Sequence, residues 1–235
     1  MKTDPSKNIA HAQEWSQFWQ MITSWFSFFL RNFRKVSPVI LSMVIFTLIY
    51  LSKCNSDSNL DGIDHFNAGD YEAALKSYSE FLMLYPDDIK TRYNRARCFE
   101  ALGDDVNAEI DYNEVLEREP YHINALLGLS QIYYRKNDFQ TSINLTERVV
   151  MIDEQNFLAH YYSGRAYHKV GYWLHALKCY NRVIELNPEY GYAYFHRSSV
   201  MISIGLQPMG CNDLQAAVSL NVDGAREALK KYCGD

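Results

Sequence analysis

The side chains most able to do chemistry in this chain are its five cysteines and seven histidines. A zinc site needs paired ligands at short spacing, and a helix-borne metal site needs two histidines four residues apart. Cys54, Cys98, Cys179, Cys211 and Cys233 contain no CxxC, and no Cys/His spacing fits zinc. His160, His168 and His175 are not four residues apart. A glycine-rich phosphate loop, HExxH and GxSxG are all missing. The expectation is a protein without a catalytic centre and without a cofactor. Charge narrows the partner class further. Residues 1–53 carry six Lys/Arg against two Asp/Glu, and residues 54–235 carry seventeen against twenty-six. An acidic body is a poor surface for nucleic-acid phosphates.

What positions these side chains is a period of thirty-four residues. A turn residue recurs at Gly69, Gly103, Asn137 and Gly171, each followed by Asp70, Asp104, Asp138 and Tyr172. Ala74, Ala108, Ser142 and Ala176 follow, then Tyr78, Tyr112, Thr146 and Tyr180. Pro86, Pro120 and Pro188 close three units, and Glu154 stands at the remaining position. A fixed period in at least three copies is the signature of a solenoid. Phe157–Tyr190 shows how one unit works. Phe157–Val170 and Trp173–Leu186 each have apolar and small residues at helical spacing. Gly171 permits the left-handed backbone that ends the first helix, and Pro188 stops the second.

This pattern resembles the tetratricopeptide repeat (TPR) family, over units 55–88, 89–122, 123–156, 157–190 and 191–224. The resemblance implies an all-α, right-handed superhelical solenoid of about five helix-turn-helix units with a capping helix over 225–233. It implies a scaffold or adaptor acting through protein–protein contact. The fifth unit departs from the pattern, with Gly210, Leu214 and Val222 in place of alanine, aromatic and proline. In this family the first helix of each unit lines the concave face. Carried over, that selects Tyr93, Asn94 and Arg97 in the second unit and Gln131, Tyr134 and Arg135 in the third. The fourth gives Tyr161, Tyr162, Arg165, His168 and Lys169, and the fifth Phe195 and His196. Such a groove, aromatic and basic, suits an extended or helical peptide with acidic groups. The residues do not reproduce the family's chaperone-tail clamp.

Before the repeats come two hydrophobic features. Trp15, Phe18, Trp19, Ile22, Trp25, Phe26, Phe29 and Phe33 fall at steps of three and four within His11–Arg34. That stripe reads as an amphipathic helix for a bilayer surface or for a membrane subunit. Val36–Ser52 then runs seventeen residues without a charge. It reads as a retained transmembrane signal-anchor, with residues 1–35 cytoplasmic and the repeats in the periplasm of a gram-negative bacterium. Leu51-Ser52-Lys53-Cys54 resembles a lipoprotein box, giving an alternative in which Cys54 is acylated. A further alternative is a cytoplasm-facing receptor that recruits soluble clients. The closing stretch resembles the terminal cap of envelope TPR proteins. On that resemblance Cys211 and Cys233 are either bonded or a pair of reduced core thiols.

Overall fold

The structure, a computed structural model, describes residues 61–234. The aromatic stripe of His11–Arg34, the apolar run Val36–Ser52 and Cys54 lie outside the described residues. So does the start of the first unit. Among the described residues every regular element is a helix, and no helix is long and apolar enough to cross a membrane.

Eleven helical segments follow in order among the described residues. They are α1 (61–67), α2 (Tyr71–Leu84), α3 (Ile89–Ala101), α4 (Asp105–Arg118), α5 (Ile123–Arg135) and α6 (Phe139–Ile152). Then come α7 (Phe157–Val170), α8 (Trp173–Leu186), α9 (Gly191–Ser203), α10 (Gln207–Ser219) and α11 (Ala225–Cys233). Consecutive helices pair as antiparallel hairpins that stack into an all-α solenoid, with α11 against α10 as a cap.

Short polar residues start the early helices. Asp70, Asp104 and Asp138 accept a backbone N–H from Ala73, Asn107 and Thr141, each at 3.1 Å. Asp88, His122 and Asn156 cap α3, α5 and α7 in the same way. Each cap satisfies a donor that the first helical turn leaves unpaired. The later helices α8, α9, α10 and α11 lack such a side-chain cap. The turns reverse through left-handed backbone at Gly69, Gly103, Asn137, Gly171 and Gly205. Asn137 holds a φ of 62° there, and asparagine tolerates that region better than most residues with a β-carbon.

The core follows the repeat. Ala74, Ala108 and Ala176 are fully buried, and so, to within 1 % exposure, are Tyr78, Tyr112 and Tyr180. Each ring needs a glycine opposite it: Tyr78 packs on Gly62, Tyr112 on Gly128 and Tyr180 on Gly164. In the third unit Ser142 and Thr146 replace alanine and tyrosine. Thr146 donates to the carbonyl of Ile143 and accepts from the Ser163 hydroxyl at 2.6 Å, so polar contacts fill that layer instead.

Ion pairs lock the second and fifth hairpins. Arg95 grips buried Asp111 with two bonds of 2.7 and 2.8 Å, and Arg197 grips Asp213 with two bonds of 2.7 Å. Cys211 and Cys233 form a disulfide joining α10 to α11, with Cα atoms 5.8 Å apart. Cys98 is buried in the core, and Cys179 is partly so.

Candidate peptide-binding groove

Stacking brings the first helices of the hairpins side by side, and a cavity of about 430 Å3 opens where α5, α7, α8, α9, α10 and α11 meet. Six of the residues selected from the sequence line it: Tyr134, Arg165, His168, Lys169, Phe195 and His196. Gln131 and Tyr162 adjoin it through a narrow cleft shared with Tyr134 and Arg165.

Arg165 is the centre of this arrangement. Its guanidinium lies 4.3 Å from the Tyr134 ring centroid and 5.8 Å from that of Tyr161. Sixty-eight residues earlier the arrangement repeats, with Arg97 over Phe66 at 4.3 Å and over Tyr93 at 6.0 Å. In both places one aromatic comes from the preceding hairpin and one from the arginine's own helix, so the stacking spans a repeat boundary. An arginine held flat on a ring keeps its N–H edge available for a planar anion. Phe66, Tyr93 and Arg97 thus form a second aromatic–cation patch, away from the cavity, with Asn94 next to Tyr93 in the chain.

Of two further selected residues, one is buried and the other is already ion-paired. Tyr161, expected in the groove, is 6 % exposed, packed on Tyr162, Tyr180, Tyr190 and His196. Arg135 bridges Asp105 at 2.6 Å and Glu100 at 3.1 Å, so its charge clasps the preceding hairpin. Lys136 and Tyr133 both reach Glu109 beside it.

Several of the lining groups that were not selected from the sequence come from outside the first helices of the hairpins. Tyr180 supplies a hydroxyl from the core, while Ala228 and Tyr232 come from the cap helix. The thirty-four-residue period gives no hint of Tyr232, because α11 lies beyond the last full unit. Its place follows from the Cys211–Cys233 bond and from Gln207, which donates to the Tyr232 carbonyl.

The electrostatics are one-sided. Among the described residues no Asp or Glu lines the cavity. Burial, then the neighbouring charges of Arg165, His168 and Lys169, push the His196 pKa down to about 4. Burial and Lys169 lower that of His168. Both imidazoles are therefore neutral near pH 7, and Arg165 and Lys169 carry the positive charge. A second hollow of about 1020 Å3 lies along α6 and α8. Glu147, Glu154 and Glu185 offset Lys178 and Arg182 in its walls, so it shows no preference of sign. Among the described residues no group of His, Cys, Asp and Glu could hold a metal ion.

The repeats are recognisable beyond their geometry. The tetratricopeptide repeat family matches residues 60–123 and again residues 157–190. Both stretches are tetratricopeptide repeats. The chain is 33 % identical over 97 residues to tetratricopeptide repeat protein 21A of Mus musculus, which covers 41 % of this chain and 7 % of that protein. Sperm-associated antigen 1 of Mus musculus is 31 % identical over 98 residues, 42 % of this chain and 11 % of that one. The chain thus spans only a small part of these curated relatives. Among solved structures, MamA of Desulfovibrio magneticus RS-1 superposes with a TM-score of 0.66 at 17 % identity, over 71 % of this chain and 94 % of that one. A tetratricopeptide repeat protein of Parabacteroides merdae superposes with a TM-score of 0.66 at 20 % identity, over 75 % and 71 %. At such identities the likeness is one of fold.

Proposed function

We propose that this chain is a non-enzymatic, membrane-anchored scaffold whose concave groove holds a segment of another protein, and that it helps assemble or stabilise a cell-envelope complex. The observation that carries the reading is the aromatic, cation-lined cavity around Arg165, built largely from first helices of the hairpins, which the family pattern assigns to the concave face. Apolar rings supply contact area and the stacked arginine supplies direction. Val36–Ser52 is the anchor in this reading, and the aromatic stripe Trp15–Phe33 lies against lipid or a membrane subunit. The Cys211–Cys233 bond supports a periplasmic location for the repeats, since such bonds persist in oxidising compartments.

The test is affinity purification of the full chain in mild detergent, compared with Arg165→Ala and Tyr162→Ala variants. The expected result is a stoichiometric partner recovered with the native chain and depleted with both variants, whose helicity and melting stay unchanged. Equal recovery with all three overturns the groove. Labelling of single-cysteine variants in intact cells by a membrane-impermeant thiol reagent tests the topology. Protection of the repeats from that reagent overturns the periplasmic assignment.

A further inference from the structure

Several arginines of this protein find an acid. Arg95 has Asp111, Arg197 has Asp213, and Arg135 has Asp105 and Glu100. Arg165 and Lys169, in a body that is acidic as a whole, have no carboxylate among the described residues. Arg165 Nε is buried and lacks a hydrogen-bond partner. The Tyr180 hydroxyl, on a side chain with 0 % exposure, also lacks one and borders the same cavity. Unsatisfied buried polar atoms are rare in native proteins and are each worth about 1–3 kcal/mol, so two of them at one basic cavity call for a ligand.

The geometry points to an acidic segment of the protein partner as that ligand, with Asp or Glu side chains seated between Arg165, Lys169 and the Tyr180 hydroxyl. The inference rests on the groove reading above and names its chemistry. A carboxylate accepts from all three donors, and a guanidinium fork matches its two oxygens. The volume favours more than one acidic group: about 430 Å3 is on the order of ten water volumes, far more than a single carboxylate fills. His168 and His196 line the remaining wall, and each gains a proton more readily once an anion sits beside it. Tyr134, Phe195 and Tyr232 cover the apolar stems of the bound side chains.

The experiment uses the full-length chain in detergent micelles and fluorescein-labelled, C-terminally amidated peptides read by anisotropy. One peptide has a Glu-Asp-Glu-Asp core and the other its Gln-Asn-Gln-Asn isostere. The acidic core is expected to bind at least about tenfold tighter, as charge-assisted hydrogen bonds warrant. That preference is expected to disappear in Arg165→Gln and to fall in Lys169→Gln, whose exposed position leaves folding intact. Lys178→Gln, on the second hollow, is expected to keep it. Equal affinity for the two cores, or an acidic preference unchanged by both substitutions, overturns the inference. So does binding of the isostere only when its C-terminus is a free carboxylate, which assigns a chain end instead. Partner recovery that depends on Arg165 without any acidic preference leaves the groove standing and removes only the acidic ligand. An acidic preference with no recovered partner does the reverse.

Discussion

A β-carbon added to Gly164 would stand 2.8 Å from Cε1 of Tyr180 and 3.0 Å from its Cδ1. The ring is fully buried, with Tyr161 and His196 against it, so giving way would disturb their packing. Gly164→Ala is therefore expected to destabilise the repeats by about 1–3 kcal/mol, the usual cost of overpacking. Urea unfolding measures it. Combining the change with Tyr180→Leu should recover part of the loss, since the two sites are in contact.

Removing the Tyr180 hydroxyl should act oppositely on stability and on binding. The oxygen is buried without a partner, so Tyr180→Phe deletes a desolvated polar atom and keeps the ring. The expected gain is about 1 kcal/mol in urea unfolding. The same variant should bind the acidic peptide more weakly, by several fold. A loss of stability would mean that the hydroxyl has a partner in the folded protein.

Asp111 is 2 % exposed and holds Arg95 by two bonds, with Arg92 a further 3.6 Å away. Asp111→Ala leaves the Arg95 guanidinium facing a buried gap, while Arg92 keeps Glu114. The expected cost is about 3 kcal/mol, since breaking a buried pair strands the remaining charge. The groove around Arg165 lies in other hairpins, so peptide affinity should hold while the melting temperature falls.

Acid should loosen the C-terminal half of the solenoid. The His196 pKa is depressed to about 4 by burial and by the nearby cations, below its ordinary value of 6.5. The unfolded chain then binds more protons than the folded one between those two values. Stability is full above about pH 6.5 and declines as pH falls towards about 4, at up to about 1.4 kcal/mol per unit. His168 adds to the decline in the same direction. His196→Phe should flatten the curve of unfolding midpoint against pH. An unchanged slope would show that other groups set it.

Reducing the Cys211–Cys233 bond should release the cap. The bond closes a 22-residue separation, for which loop entropy suggests roughly 3 kcal/mol. Because Tyr232 is one wall of the cavity, Cys233→Ser is expected to weaken acidic-peptide binding as well as to expose α11 to hydrogen exchange. Full affinity in that variant would separate the cap from the site.

Much of this was legible in the sequence, for a reason that also sets the limit. The period fixes what each residue does within its own hairpin, so the alanine–tyrosine core and the turn glycines could be read directly. The outward direction of Arg165, His168 and Lys169 follows from the family pattern. What no single unit encodes is the neighbour. Tyr161 is buried because Tyr190 and His196 close over it from beyond its own two helices. Arg135 is neutralised because Glu100 and Asp105 belong to the preceding hairpin. Tyr232 reaches the cavity through a covalent link between helices with no repeat relationship.

The clasp formed by Tyr133, Arg135 and Lys136 on Glu100, Asp105 and Glu109 has an evolutionary consequence. Arrays of this type grow and shrink by duplication or excision of whole modules. Excising residues 123–156 would set α7 against α4 and put Tyr167, Lys169 and Val170 where Tyr133, Arg135 and Lys136 stand, so a single ammonium would replace the fork on Glu100 and Asp105 and Glu109 would lose its lysine. The modules are therefore not interchangeable, and the order in which they succeed one another is written into the joints.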